Sequence, residues 1–183
     1  MEINLENYQP SKEQLKRLRS LLDISSECQK QGITVWVFGG YGLDALYGKL
    51  TRDHRDFDLY VKEGSEEKLV EIIKKLGYYL TPEKIGTVEK IVYRNKNLSS
   101  DFRLEYGTLE KIKKLTSAEN LELLVPEKPL GKLQGQPIWT PTVEGFKRII
   151  EINNRFAAKD KWEEYPYREW QIGIMKAIEK NLS

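Results

Sequence analysis

The sequence predicts a mixed α/β (α+β) fold, a mixed β-sheet with helices packed on it, followed by a C-terminal helical part. Three observations carry this. Residues 33 to 38 are an apolar, β-branched run that stops at Gly39 and Gly40. Residues 56 to 61, DFDLYV, alternate with period two, so Asp56 and Asp58 share one face and Phe57 and Leu59 the other. Before, between and after these runs, apolar residues recur at helical spacing.

In order along the chain, Pro10-Ser11 with Gln14 is a capping-box start, and Leu15, Leu18, Leu22 and Ser25 form the stripe of a helix that ends at Gly32. Cys28 packs within it. The strand 33 to 38 follows, then the glycine pair, a short helical piece over 41 to 47, a basic polar loop, and the strand bearing Asp56 and Asp58. Gly64-Ser65-Glu66-Glu67 reads as a cap with acidic residues in the first turn of a helix over 66 to 76, whose Leu69, Ile72, Ile73 and Leu76 cover the sheet. Short strands are expected at 78 to 80, 88 to 94 and 100 to 106, the last two joined by Asn95-Lys96-Asn97. The strand 100 to 106 sets Asp101, Arg103 and Glu105 on one face and Phe102 and Leu104 on the other.

The stretch 107 to 142 is irregular, with a helical patch at 108 to 114, a cap at Thr116-Ser117, and a hairpin over 131 to 140 around Gly135-Gln136. It marks a seam between a core, residues 1 to 107, and a C-terminal region, residues 108 to 183, that completes a substrate cleft. Thr140-Pro141-Thr142 opens a helix to about residue 158, and a second runs from 167 to 180 with Trp170, Ile174 and Ala177 inward. Between them, Lys159, Asp160, Trp162, Tyr165 and Tyr167 are candidates for lining the cleft.

Bulk properties narrow the class. A chain of 183 residues buries about 70% of its unfolded surface and holds its own core. Charged residues make up 32% with a net charge of only +2 and the signs interspersed, which argues against a general nucleic-acid partner. A lone cysteine excludes an internal disulfide framework. The polar start, MEINLENYQP, and the lack of any long apolar run lead us to expect a soluble, cytoplasmic protein with no membrane partner, a monomer or homodimer.

Two carboxylates side by side at the edge of a core repel unless a cation neutralises them. Hard oxygen ligands of this kind suit Mg²⁺ or Mn²⁺, which keep waters and are completed by substrate phosphates. At Gly39 and Gly40 the missing Cβ atoms let backbone approach a ligand, and helix N–H groups that open there bind anions. Fifteen residues, 41 to 55, then separate Gly40 from Asp56. Gly40-x-Gly42-x-x-Ala45 also fits a dinucleotide fingerprint, but the strand and helix repeat this needs does not follow.

Glycine pair, short helix, strand with Asp-x-Asp: this order resembles the nucleotidyltransferases of the DNA polymerase beta superfamily. The stretch FGGYGLDALYGKLTRDHRDFDLYV, including Thr51-Arg52-x-His54, is similar to the small antibiotic nucleotidyltransferases that modify aminoglycosides and lincosamides. The resemblance implies a polymerase-beta-type fold and metal-dependent transfer of a nucleoside monophosphate from a nucleoside triphosphate to a hydroxyl of a small-molecule acceptor. Asp56 and Asp58 would hold magnesium or manganese. A third carboxylate is implied on a neighbouring strand, with Asp101 the choice and Glu105 the reserve. Gly39 and Gly40 would admit the triphosphate, and Arg52, then His54 and Lys49, would meet its phosphates. For His54, the only histidine, a hydrogen bond to an aspartate is the competing role. A polycationic acceptor would call on exposed carboxylates, for which Glu105, Glu110, Glu163 and Glu164 are candidates. The alternative function is a toxin–antitoxin or regulatory protein of the same fold acting on a protein or transfer RNA.

Overall fold

The structure, a computed structural model, describes residue 5 and residues 7–85, 88–116, 125–159 and 168–182. The chain opens with α1 (Lys12–Lys30), whose N-cap Ser11 accepts a hydrogen bond from the Gln14 backbone N–H at 3.0 Å. Then come β1 (Trp36–Val37), α2 (Gly39–Tyr47), β2 (Asp56–Val61), α3 (Glu66–Lys75), β3 (Tyr78–Ile85), β4 (Val88–Asn95), β5 (Arg103–Thr108) and α4 (Leu109–Thr116). A small hairpin, β6 (Gly131–Leu133) and β7 (Gln136–Ile138), precedes α5 (Val143–Lys159) and α6 (Arg168–Leu182).

Five strands form one mixed sheet in the order β1-β2-β5-β4-β3. Only β2 and β5 run parallel; every other neighbouring pair is antiparallel. That consecutive strands β1 and β2 are antiparallel is incompatible with a dinucleotide-binding βαβ unit. One face of the sheet packs Phe57, Leu59, Val61 and Leu104 against Leu18, Leu21 and Ile24 of α1 and Leu69, Ile72 and Ile73 of α3. On the other, Trp36 and Phe38 cluster with Leu109, Ile112 and Val125, with Tyr60, Trp139 and Ile149 packed against them. A third cluster joins Leu43 of α2 to Phe146 of α5 and to Trp170, Ile174 and Met175 of α6. Among the described residues no helix is long and apolar enough to cross a membrane.

Several expectations are corrected. Strand β1 has two residues rather than six, because only Trp36 and Val37 pair with β2. Helix α1 turns a different face inward: Gln14, Arg17, Leu18, Leu21, Ile24 and Cys28 are buried, and Leu15 is 40% exposed. Ser65 precedes α3 without a side-chain capping bond. The β6–β7 turn is centred on Gln134 and Gly135, both at positive φ, one residue earlier than expected. Asp101 is not in a strand: Phe102 N–H turns back to Ser99 O at 3.0 Å, and β5 begins at Arg103, whose N–H reaches Arg55 O at 3.0 Å. Residues 117 to 124 and 160 to 167, and with them Ser117, Asp160, Trp162, Glu163, Glu164, Tyr165 and Tyr167, lie outside the described residues.

Candidate active site

The alternation of β2 is as the sequence implies, with Phe57, Leu59 and Val61 buried and Asp56, Asp58 and Tyr60 half-buried on the opposite face. Its parallel neighbour adds to that face in register: Asp56 lies beside Arg103, Asp58 beside Glu105, and Tyr60 beside Gly107. Side chains in register on adjacent strands project together. Arg103 Nη2 stands 3.6 Å from Asp56 Oδ2. Burial pushes the Tyr60 phenol up, and the Asp58 and Glu105 carboxylates add to it, so the hydroxyl sits in the field of both.

Helix α2 brings its first turn to the same place. Phe38, its N-cap, donates its backbone N–H to Asp58 O at 2.8 Å and makes no side-chain cap. Gly39 has φ of +58°, and a Cβ there would collide with the Asp58 carboxylate, whose Cγ would be 3.1 Å away. The glycine therefore lets a carboxylate press against a helix N-terminus, where unsatisfied N–H groups favour negative charge. A Cβ on Gly40 would run into the His54 ring and come within 2.8 Å of Arg52 Nη2. The pair is required first by the protein's own side chains.

Behind this turn is a buried polar knot that the sequence did not announce. Asp44 of α2 is fully buried and accepts from Thr51 N–H at 3.0 Å and Thr51 Oγ1 at 2.5 Å. His54 is 1% exposed, and its Nε2 is 2.6 Å from Asp44 Oδ2. Trp170 of α6 donates its indole N–H to Thr51 Oγ1 at 2.9 Å, and its ring lies under the Arg52 guanidinium at 4.3 Å. Burial pulls the His54 pKa down, against the opposing hydrogen bond and charge of Asp44. A neutral His54 then donates from Nε2 to Asp44 and carries its lone pair on Nδ1, which is buried and has no partner among the described residues. His54 thus makes the hydrogen bond to an aspartate that was its competing role, and that aspartate is Asp44. The signal was a lone carboxylate in the apolar helix YGLDALY.

Arg17 of α1 fixes the loop from the other side. It is buried, donates to His54 O at 2.6 Å and to Ser99 Oγ, and lies 3.3 Å from Asp101 Oδ1. Asp101 itself is largely exposed; its hydrogen bond to Ser99 holds its carboxyl below the usual range, with Arg17 assisting against slight desolvation. The structure brings Asp56, Asp58 and Glu105 to one face and leaves Asp101 in the turn before it. Lys49 is also elsewhere. It follows Gly48 at the C-terminal end of α2, about 13 Å of helix from the glycine pair, with its Nζ 5.8 Å from the Tyr47 ring.

The donor chemistry on the β2–β5 face is all carboxylate oxygen, which suits a hard divalent cation. Among the described residues no three His, Cys, Asp or Glu side chains converge as a metal site.

With this geometry in hand, known proteins supply a context. Residues 20–110, just under half of the 183-residue chain, match the model of the aminoglycoside-2''-adenylyltransferase family. A lincosamide resistance protein of Staphylococcus haemolyticus is 33% identical over 63 residues, 34% of this chain and 37% of the relative. The matched part thus spans little more than a third of that protein. Among solved structures, ANT(2'')-Ia in complex with adenylyl-2''-tobramycin superposes with a TM-score of 0.66 at 19% identity, over 92% of this chain and 90% of that one. The lincosamide antibiotic adenylyltransferase LnuA, bound to lincomycin, gives a TM-score of 0.54 at 16% identity, over 88% and 95%. The structural likenesses establish the fold. The sequence matches agree with the nucleotidyltransferase resemblance that the glycine pair and the Asp-x-Asp strand carry.

Proposed function

We propose that the protein transfers a nucleoside monophosphate from a nucleoside triphosphate to a hydroxyl of a small molecule, an aminoglycoside- or lincosamide-like antibiotic, releasing pyrophosphate. One observation carries this reading: Asp58 lies beside Glu105 across the parallel strand pair and at the same time against the first turn of α2 at Gly39. Carboxylates for a cation and N–H groups for a phosphate then meet at one point.

Asp56 and Asp58 would hold the magnesium, and Glu105, in register with Asp58, would take the place expected of Asp101. A divalent cation bound there with the triphosphate supplies charge neutralisation at the α-phosphate and on the departing pyrophosphate. Glu105 is placed to take the acceptor's proton as its oxygen forms the new bond to the α-phosphorus and the bond to the β-phosphate bridge breaks. The first-turn N–H groups of α2 and the Arg52 guanidinium bind phosphate oxygens, Arg being the bidentate partner such oxygens favour. Arg103 balances the charge of Asp56 while no cation is held. The acceptor would lie against the aromatic edge of the face, where the Phe38 and Tyr60 rings meet at a tilt with centroids 4.5 Å apart and Trp139 meets Trp36 edge-on at 5.7 Å. The C-terminal region would complete the cleft, whereas the carboxylate of Glu110, at the start of α4, accepts the Glu63 backbone N–H at 3.0 Å.

The names of the similar proteins support an antibiotic acceptor, and the intact Asp-x-Asp supports transfer over mere binding. A mass-detected assay with the four nucleoside triphosphates, magnesium, and a panel of aminoglycosides, lincosamides and transfer RNA tests the proposal. Expected is an acceptor that gains the mass of one nucleoside monophosphate, with pyrophosphate formed. A gain on transfer RNA alone, or on nothing while the protein binds no triphosphate with magnesium, would overturn it.

A further inference from the structure

We infer that Trp170 of α6 is a positioning residue for triphosphate affinity, holding the Arg52 guanidinium at the first turn of α2. This rests on the function proposed above and extends it to the C-terminal helix, which carries none of the expected site residues.

Arg52 is in the irregular loop between α2 and β2, and its long side chain is held by two surfaces and by a backbone carbonyl of that loop. On one side the Trp170 ring lies 4.3 Å from the guanidinium carbon, a cation–π distance. At its Nη2 edge is Gly40, where even a methyl group would approach Nη2 to 2.8 Å. Nη1 donates to Asp53 O at 2.7 Å, which sets the plane of the group. The guanidinium is therefore held against the indole, with Nη2 at the glycine turn, before any ligand arrives.

Trp170 is itself held independently of Arg52. Its indole N–H donates to Thr51 Oγ1, which is bound in turn to the buried Asp44. The His54 ring meets it edge-on, with centroids 5.9 Å apart at 69°. The residue is 7% exposed and packs in a cluster with Leu43, Phe146 and Ile174. Ring orientation is thus set by Thr51 and His54 of the α2–β2 loop and by packing against α2 and α5, and the arginine lies over the plane the ring offers. An arginine fixed in this way loses less freedom on meeting a phosphate, which raises affinity without touching the reacting atoms.

The test compares Trp170→Leu, which removes stacking and the N–H donor, with Trp170→Phe, which keeps an aromatic face. Binding of each of the four nucleoside triphosphates with magnesium is measured by calorimetry, alongside melting temperature and steady-state kinetics. Trp170→Leu is expected to weaken triphosphate binding, and to raise its KM, by about tenfold, the scale of a lost partly desolvated cation–π contact. Trp170→Phe should lose less than half of that on a logarithmic scale, and kcat should change much less than KM. In an Arg52→Ala background neither Trp170 substitution should change affinity further. Wild-type affinity in a folded Trp170→Leu protein would overturn the inference, as would an equal loss with and without Arg52. If Trp170→Leu does not fold, Trp170→Phe in the two Arg52 backgrounds decides by the same criterion. Failure of the wild-type protein to bind any of the four triphosphates would instead overturn the proposed function.

Discussion

Asp58 and Asp44 stand on opposite sides of one glycine turn, and the protein treats them in opposite ways. Asp44 is sealed from water, and its carboxylate is met by Thr51 N–H, the Thr51 hydroxyl and the His54 ring. Asp58 shares a half-open face with Asp56, and the nearest residue on the adjacent strand is another carboxylate, Glu105. A buried charge must find partners within the fold, so the Asp44 knot closes upon itself. The Asp58 and Glu105 carboxylates repel each other, with Arg103 paired to Asp56 beside them, and that repulsion is tolerable because the face is partly solvated. The two regions therefore differ in exposure: the Asp44 site is closed by protein, and the Asp58 face is open to the cation and phosphate of the proposed function.

The largest effect should separate the two aspartates. Asp58→Asn is expected to bring transfer below detection while the melting temperature stays nearly level, because relief of like-charge repulsion offsets the lost contact of the charge with the first turn of α2. Measuring melting and turnover on the same preparation tests this. Near-wild-type turnover would mean that the open face is not the catalytic one.

Next comes the choice between carboxylates on β5 and in the turn before it. Glu105→Gln should lower turnover by roughly 10²–10⁴-fold, as loss of an acid–base group does, with triphosphate affinity largely kept. Asp101→Asn should leave turnover within a few fold, since its contacts are Ser99 and Arg17 rather than the β2 face. An exchange of these two outcomes in single-turnover measurements would return the role to Asp101.

This is also where local pattern stopped being informative. The alternation at Asp56 and Asp58 is a period-two signal within six residues, and the structure repeats it. The face of Glu105 was legible for the same reason, but the start of β5 was not. It is fixed by Arg55 O across the parallel pair and by the turn that Arg17 pins at Ser99, contacts between residues tens of positions apart. The same buried Arg17 and the buried Gln14, which serves Tyr41 and His54, rotate α1 away from the face its leucines suggested. Trp170 could be read only as an inward helix residue, because its partners Arg52 and Thr51 precede it by more than a hundred residues.

The knot should fail by unfolding rather than by lost chemistry. Asp44→Ala strands three donors in the interior, and removing one member of a buried ionic or hydrogen-bonded set costs roughly 3–5 kcal/mol. For a chain of 183 residues that lowers the melting temperature by several degrees, at about 2–4 °C per kcal/mol. Activity per folded molecule, measured well below the transition, should fall far less than with Asp58→Asn. A melting temperature within one degree of wild type would show that the knot does not hold the fold.

The smallest expected effect is a pH dependence that belongs to the buried side alone. His54, the sole histidine, has its pKa lowered from 6.5 in the folded protein, chiefly by burial. Above pH 6.5 both folded and unfolded chains carry it neutral, and its contribution to stability is constant. As pH falls below 6.5 the unfolded chain binds the proton first, so the unfolded state is favoured and stability drops, by at most about 1.4 kcal/mol per pH unit. The loss continues until the folded pKa is reached, below which both forms are protonated and the slope vanishes. Carboxylates titrate mainly below pH 5, so the interval from 6.5 to about 5.5 isolates the histidine. Urea midpoints measured across it should fall with pH for the wild-type protein. In His54→Gln, whose amide still donates to Asp44, they should be flat. A variant as pH-sensitive as the wild type would mean that His54 is not held neutral by the interior, and that the contrast between a closed knot and an open face is weaker than the burial of the two aspartates indicates.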